Sequence, residues 1–191
     1  MGKIALGLTI VLCAAPEVFS QNHVYCFAES GTKLFAGTDS GVYLTTNNGA
    51  IWKAINYPSG LMGYEAKELA SIGTNLVCNF DGPEGWGVFR STDGGANWTP
   101  SGSGLGRSFV IAFASLGTNL FAGTYLNLGA GITSGGVSLS TDGGTNWMSR
   151  NLGLTLTDNI IYVNALAVIG TNLFAGTNDG VFLSTDSGKS W

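Results

Sequence analysis

Two short segments each occur four times in this chain, and their spacing decides most of what it can fold into. The first opens with Gly-Thr, at Gly31, Gly73, Gly117 and Gly170, at intervals of 42, 44 and 53 residues. Three copies continue as Leu-Phe-Ala-Gly-Thr after one variable residue, ending at Thr38, Thr124 and Thr177, and the second reads Leu76-Val77-Cys78. The second segment ends in Trp52, Trp98, Trp147 and Trp191, spaced 46, 49 and 44 apart. A period of roughly 40–50 residues marks a unit that buries its apolar faces only by stacking on its neighbours.

Each unit reads as four short strands. Strand A carries an apolar-small pair, Phe27-Ala28, Leu69-Ala70, Phe113-Ala114 or Leu166-Ala167. Gly-Thr then makes a two-residue hairpin turn with Gly first, as a type II′ turn requires. Strand B is Leu-Phe-Ala-Gly or its variant, and strand C runs Gly41–Leu44, Gly87–Arg90, Gly136–Leu139 and Gly180–Leu183. Strand D begins at the Trp. Strands B and C carry almost no charge apart from Arg90, so they are expected to be covered on both faces. Repeated four-stranded units are propeller blades, here residues 22–57, 64–101, 108–151 and 160–191. A β-solenoid is the competing architecture, but its repeat is usually shorter. Composition agrees: 30 of 191 residues are Gly, 11% are aromatic and only 10% are charged, against about 25% charged in an ordinary domain. That excludes disorder and helical bundles. The net charge of −4 offers no basic patch, so nucleic acid is not an expected partner.

Residues 1–20 differ from the rest. Lys3 is followed by an apolar run from Ile4 to Ala15, then Pro16-Glu17 and a small-residue cut before Gln21. This is the pattern of a secretory signal peptide, and the run is too short to span a membrane. The exported chain would be residues 21–191, still at −4, secreted, periplasmic or on the cell surface, and with no membrane contact after cleavage. Its two cysteines, Cys26 and Cys78, fall where other repeats have Ala, which favours small thiols but leaves a disulfide open.

The segments Ser91-x-Asp93-x-Gly95-x-x-Trp98, Ser140-x-Asp142-x-Gly144-x-x-Trp147 and Ser184-x-Asp186-x-Gly188-x-x-Trp191 resemble the Asp-box, or BNR repeat, of sialidase-type β-propellers. The first copy departs, with Thr45 and Asn47 before Gly49 and Trp52. The resemblance covers residues 22–191 and implies the propeller fold. It implies no single activity, since the family includes sialidases, xyloglucan-cleaving hydrolases, sortilin-type receptors and photosystem II assembly factors. From the residues themselves, the Asp accepts backbone N–H groups, the Gly permits positive φ, and the Trp buries a large area. Asn47 keeps an acceptor without a charge, so the position needs an acceptor rather than an ion, and a metal or proton-transfer role is not expected.

In such a meander the A–B and C–D turns share one end of the blade and the B–C and D–A loops the other. The first end is uniform, and therefore structural. Variation gathers at the second, where any ligand site is expected. Blade two inserts 81–86 there, with Trp86 as a loop aromatic able to stack on a sugar or peptide and Asp81 with Glu84 as a carboxylate pair. Blade three inserts 125–135. Tyr64, Tyr125, Tyr162 and Arg107 complete the candidates. Gly102-Ser103-Gly104 lies in a linker with no following helix, so it reads as no phosphate loop.

A sialidase would need an arginine cluster, a Tyr-Glu nucleophile pair and an acid-base Asp. The chain has three arginines, Arg90, Arg107 and Arg150, with no motif uniting them. A xyloglucanase-type site would need two carboxylates facing across a cleft, and no such pair can be placed. One His and two exported Cys make no metal site. No catalytic residue, metal or cofactor is therefore expected. The favoured reading is a secreted scaffold binding a glycan or a protein, and the alternative is the N-terminal part of a sialidase-like or xyloglucanase-like hydrolase. Because Trp191 closes the fourth box, the fourth blade is expected to lack its outer strand, in an incomplete ring completed by further blades of the same parent chain.

Overall fold

The computed structural model describes residues 22–55, 63–82, 85–106, 108–127, 133–154 and 162–191. The proposed signal segment, Glu84 and Arg107 lie outside them. The described residues form strands and turns, with no helix long and apolar enough to cross a membrane.

Four antiparallel sheets follow one another along the chain. Blade one is β1 (Val24–Ser30), β2 (Lys33–Thr38), β3 (Gly41–Thr45) and β4 (Lys53–Ala54). Blade two is β5 (Glu65–Ile72), β6 (Asn75–Gly82), β7 (Gly85–Ser91) and β8 (Thr99–Pro100). Blade three is β9 (Phe109–Leu116), β10 (Asn119–Asn127), β11 (Thr133–Ser140) and β12 (Met148–Ser149). Blade four has three strands, β13 (Val163–Ile169), β14 (Asn172–Thr177) and β15 (Gly180–Ser184). Strand order within every sheet is the order of the chain. The fold class is a β-propeller of antiparallel blades.

The Gly-Thr turns set the register. Ser30 pairs with Lys33, Ile72 with Asn75, Leu116 with Asn119 and Ile169 with Asn172, leaving two-residue loops. Gly31, Gly73, Gly117 and Gly170 all have φ near +60° while the Thr does not, as a type II′ turn demands. Every strand A also carries a bulge at one place, leaving Tyr25, Lys67, Ile111 and Asn164 unpaired opposite strand B. Bulges re-aim side chains and recur beside functional sites.

The insertions depart from expectation. Their described residues lengthen the flanking strands. β6 continues to Gly82 and β7 starts at Gly85, so Trp86 lies on a strand and Asp81 faces Glu65 across the ladder. In blade three Tyr125 pairs with Gly135, and the ladder runs on to Asn127 and Thr133. Added residues that alternate across a hairpin gain hydrogen bonds a loop would leave to water.

By contact density the described residues form two units: residues before 87 with 91–99, and residues 87–90 with those from 100 onward. In the first, neighbouring A strands are tied together. Ser30 Oγ donates to the Gly73 carbonyl at 2.9 Å, and Ser71 Oγ donates to the Glu29 carbonyl. In the second, Ala112, Phe121, Val137 and Leu139 of blade three pack on Val163, Leu166, Leu173 and Ala175 of blade four. Cys26 and Cys78 are not bridged by a disulfide. Cys26 Sγ lies 3.8 Å from the Ala66 carbonyl, and burial pushes the Cys78 thiol well up.

Candidate functional site

The uniform end is held by side chains that close each C–D turn. Ser91 Oγ donates to Asp93 Oδ1 at 2.8 Å and accepts from Gly95 N at 2.7 Å. Asp93 Oδ1 accepts from Asn97 N at 2.9 Å, and Oδ2 accepts from Asn97 Nδ2 at 2.7 Å. Asp142 repeats the set with Ser140 and Asn146, and Asp186 with Ser184 and Ser190. The first box makes the same turn without the charge: Thr45 Oγ1 donates to Asn47 Oδ1 at 2.9 Å, and Ile51 N donates to the same oxygen at 2.9 Å. The fourth residue after the acceptor changes with it. Beside each Asp it is Asn or Ser, which donates to the second carboxylate oxygen; beside Asn47 it is Ile51, which has no donor. These hydrogen bonds, from the Asn97 side chain, the Asn146 backbone and the Ser190 side chain first, hold the three acids down at about 2.

The box tryptophans reach back to the preceding blade. Trp147 Nε1 donates to the Ser101 carbonyl at 2.9 Å, and Trp147 N donates to the Ser103 carbonyl at 2.8 Å. Trp191 Nε1 donates to the Arg150 carbonyl at 2.7 Å, and Trp191 N donates to the Leu152 carbonyl at 3.0 Å. Both contacts run beside a glycine of positive φ, Gly104 at +93° and Gly153 at +88°, where a Cβ would collide with the Trp carbonyl. The first half of the D–A loop after blade two and of the one after blade three is therefore fixed by blade stacking, and Gly104, read as linker, is a packing residue. The signal was present as Gly-Leu after successive tryptophans: Leu105 and Leu154, which follow these glycines, are both buried. Arg90 donates from its guanidinium to Thr145 Oγ1 at 3.3 Å, on the box of blade three.

At the loop end the two units differ. In the first, Tyr25 Oη donates to Glu65 Oε2 at 3.0 Å, across from one A strand to the next. Lys67 pairs with the same carboxylate, and its ammonium sits 3.9 Å above the Tyr25 ring. The His23 ring lies 4.7 Å from that of Tyr25, and Asp39 Oδ2 accepts the His23 N–H at 3.0 Å. The Lys67 hydrogen bond holds Glu65 below the usual carboxylate range. Burial works to lower Lys67, but its bonds to Glu65 and Tyr25 outweigh that and raise it. In the second unit the Phe109 and Tyr125 rings stack at 4.8 Å and 11°, and Tyr162 follows at 5.6 Å and 37°. All three rings are half-buried, and Asn164 and Asn178 nearby in sequence are exposed.

Of the candidates read from sequence, Tyr125 and Tyr162 come together. Asp81 stands opposite Glu65, and Glu84, read with it as a carboxylate pair, lies outside the described residues. Tyr64 is buried, its ring lying where a side chain on Gly82 would go, so it covers a glycine and presents no free face. Tyr25, Glu65 and Lys67 were not singled out, because each occurs once on a strand that otherwise reads as sheet interior, and His23, just before β1, was set aside for want of a partner motif. Aligning the blades points to them: four residues before the strand-A apolar residue stand His23, Glu65, Phe109 and Tyr162, and two before it stand Tyr25, Lys67, Ile111 and Asn164. Among the described residues no group of His, Cys, Asp and Glu could hold a metal.

No family model and no curated protein sequence matches the chain. Solved structures do. A GH74 xyloglucanase from Xanthomonas campestris matches over 83% of this chain at 16% identity and a TM-score of 0.62. The extracellular domain of a one-component system from B. thetaiotaomicron matches over 84% at 19% identity and 0.59. YCF48 from Cyanidioschyzon merolae matches over 90% at 17% identity and 0.60, and YCF48 is also known bound to a D1 peptide. This chain spans 26%, 21% and 56% of those three chains. The likeness shows a shared β-propeller fold.

Proposed function

We propose that the protein is an exported β-propeller that binds a glycan or a protein ligand at the loop end of its blades. The stacked row Phe109, Tyr125 and Tyr162 carries this reading: half-buried rings, with the Asn178 side-chain oxygen accepting the Tyr162 N–H at 3.2 Å, suit a ligand with one flat apolar face and polar edges. Trp86 and Asp81, on strands that end at the same side of blade two, are a separate candidate contact in the first unit. That YCF48 is known with a peptide, and that the xyloglucanase is a glycan hydrolase, supports both ligand classes. Export rests on the leader pattern of residues 1–20, and an extracellular domain among the structural neighbours supports it. The test is titration calorimetry of the purified chain with xylogluco-oligosaccharides and with extended peptides. Binding that Tyr125→Ala removes is the expected result. Silence across both panels, or binding that Tyr125→Ala leaves intact, overturns the reading.

The hydrolase alternative has one observation in its favour, the Tyr25–Glu65 hydrogen bond between adjacent A strands. Lys67 weakens it, because a Glu65 carboxylate held low by its ion pair is a poor base for the Tyr25 hydroxyl. Turnover of fluorogenic sialosides or xylogluco-oligosaccharides, lost in Glu65→Gln, would restore it.

A further inference from the structure

Each blade presents two faces, and the register shows which residues share one. Within the first unit, Cys26 of β1 pairs with Gly37 of β2, on the face of blade one that carries the buried Phe35 and Val42. Cys78 of β6 pairs with Leu69 of β5, on the face of blade two that carries the buried Leu76. Within the second unit the same register positions are Ala112, paired with Gly123, and Ala175, paired with Leu166. Those two alanines are fully buried in one apolar cluster, on opposite sides of the junction between blades three and four. By register, Cys26 and Cys78 are therefore facing positions at the junction between blades one and two. Strand C of blade four departs from the expectation of cover on both faces: at the Val42 position stands Val181, 75% exposed.

Contacts at that junction agree with the register. Cys26 Sγ lies 3.8 Å from the Ala66 carbonyl oxygen of β5. A Cβ on Gly37 would come within 2.5 Å of the same sulfur and 2.6 Å of the same oxygen. Strand A of blade two thus closes directly over the Cys26 side chain, as Val163 of blade four closes over Gly123. Cys78 is fully buried behind it. Burial first, then Cys26, pushes its thiol well up, so the two sulfurs are near enough to act on each other.

We infer that Cys26 and Cys78 are the two halves of a disulfide that links blade one to blade two when the chain folds in oxidising surroundings. In the cell this rests on the export reading, since exported chains meet such surroundings. The oxidant is an external disulfide. The Cys26 thiolate attacks it, a mixed disulfide forms and one thiol leaves. The Cys78 thiolate then attacks the Cys26 sulfur and releases the second thiol. Two electrons have passed to the external disulfide, and the two cysteine protons end on the released thiols. The buried Cys78 ionises poorly, so the second step belongs to folding, before the blades close over it. The bridge joins points about 50 residues apart, so it restricts the unfolded chain strongly. It also fastens together β1 and β6, next to the strand that meets Tyr25 with Glu65 and Lys67.

Refolding the full chain from urea in a buffer of oxidised and reduced glutathione tests it, in a Cys13→Ala background that leaves only these two thiols. The redox buffer replaces the compartment, so the result stands whether or not the chain is exported. The soluble monomer is expected to be two hydrogens lighter than the reduced chain, to show no titratable thiol in denaturant, and to give a non-reducing peptide map that joins Cys26 to Cys78. Its urea midpoint should exceed that of the reduced chain by about 1 M, and a reductant should remove the gain. Cys26→Ala and Cys78→Ala, which restore the residues of the Ala112 and Ala175 junction, should fold and show no such gain. Two titratable thiols after refolding, glutathione on both cysteines, or bridges only between chains overturn the proposal. So does an internal bridge that lowers the midpoint, because it would show that the junction must distort to close it.

Discussion

The two ends of a blade are built from the same strands, yet one is nearly invariant across four copies and the other differs in each. At the turn end, every described box closes with a hydroxyl, an acceptor oxygen and a tryptophan in one geometry. At the loop end, equivalent positions hold an imidazole, a carboxylate and two aromatic rings, as His23, Glu65, Phe109 and Tyr162. Repetition at one end shows what stacking blades requires. Divergence at the other, on strands bulged at the same place in every blade, shows where the scaffold leaves side chains free to specialise. The D–A loops cross that division. They sit at the divergent end, but the first residues of the loops after blades two and three receive the next tryptophan.

Gly153→Ala is the sharpest way to break this comparison. The backbone needs φ of +88°, and a Cβ would meet the Trp191 carbonyl. Strain and displacement together should cost about 3 kcal/mol or more, seen as a large drop in urea midpoint. A neutral substitution would return the D–A loops to the variable end. Trp147→Phe follows. It keeps most of the apolar area but leaves the buried Ser101 and Gly144 carbonyls without the indole N–H, at a cost of about 1–3 kcal/mol. Equal stability would show that the tryptophan acts by area alone.

The division was largely legible in sequence, because whatever stacking requires is written four times. Gly-Thr fixed the hairpins and the box fixed the C–D turns. Residues written once carry no such redundancy. Tyr125 was visible as a lone aromatic, but its insertion reads as a loop when lengthening a hairpin is what satisfies its backbone. Glu65 and Lys67 looked like polar residues on a strand. Their meeting with Tyr25 depends on adjacent A strands lying side by side, a long-range fact that no local pattern encodes.

Asp142→Ala against Asp179→Ala tests the division with one residue type. Asp142 accepts four hydrogen bonds from the box, and its loss should cost about 1 kcal/mol. Asp179 sits in an exposed B–C turn closed mainly by Thr177 Oγ1, which accepts the Asp179 N–H and donates to the Gly180 carbonyl, so its loss should change stability by less than about 0.5 kcal/mol. Asp142→Asn should fall between wild type and Ala, since Asn47 already shows an amide oxygen closing the turn. Equal midpoint shifts for Asp142→Ala and Asp179→Ala in thermal melts would remove the distinction between the ends.

The smallest effect is the one that separates charge from acceptor. Asp93, Asp142 and Asp186 have folded values of about 2, below the ordinary 3.8. A depressed carboxylate contributes stability that is fully present above its unfolded value and lost as pH falls through its folded one. The three boxes should therefore add a shallow loss of stability on acidification between the ordinary carboxylate range and about 2, softened because all three groups face solvent. The first box, with Asn47, adds nothing to that limb. In the triple variant Asp93→Asn, Asp142→Asn, Asp186→Asn, the gap in melting temperature between roughly pH 6 and roughly pH 2.5 should narrow. An unchanged gap would mean that the carboxylate charge contributes nothing in any box and that all four turns work as the Asn47 turn does.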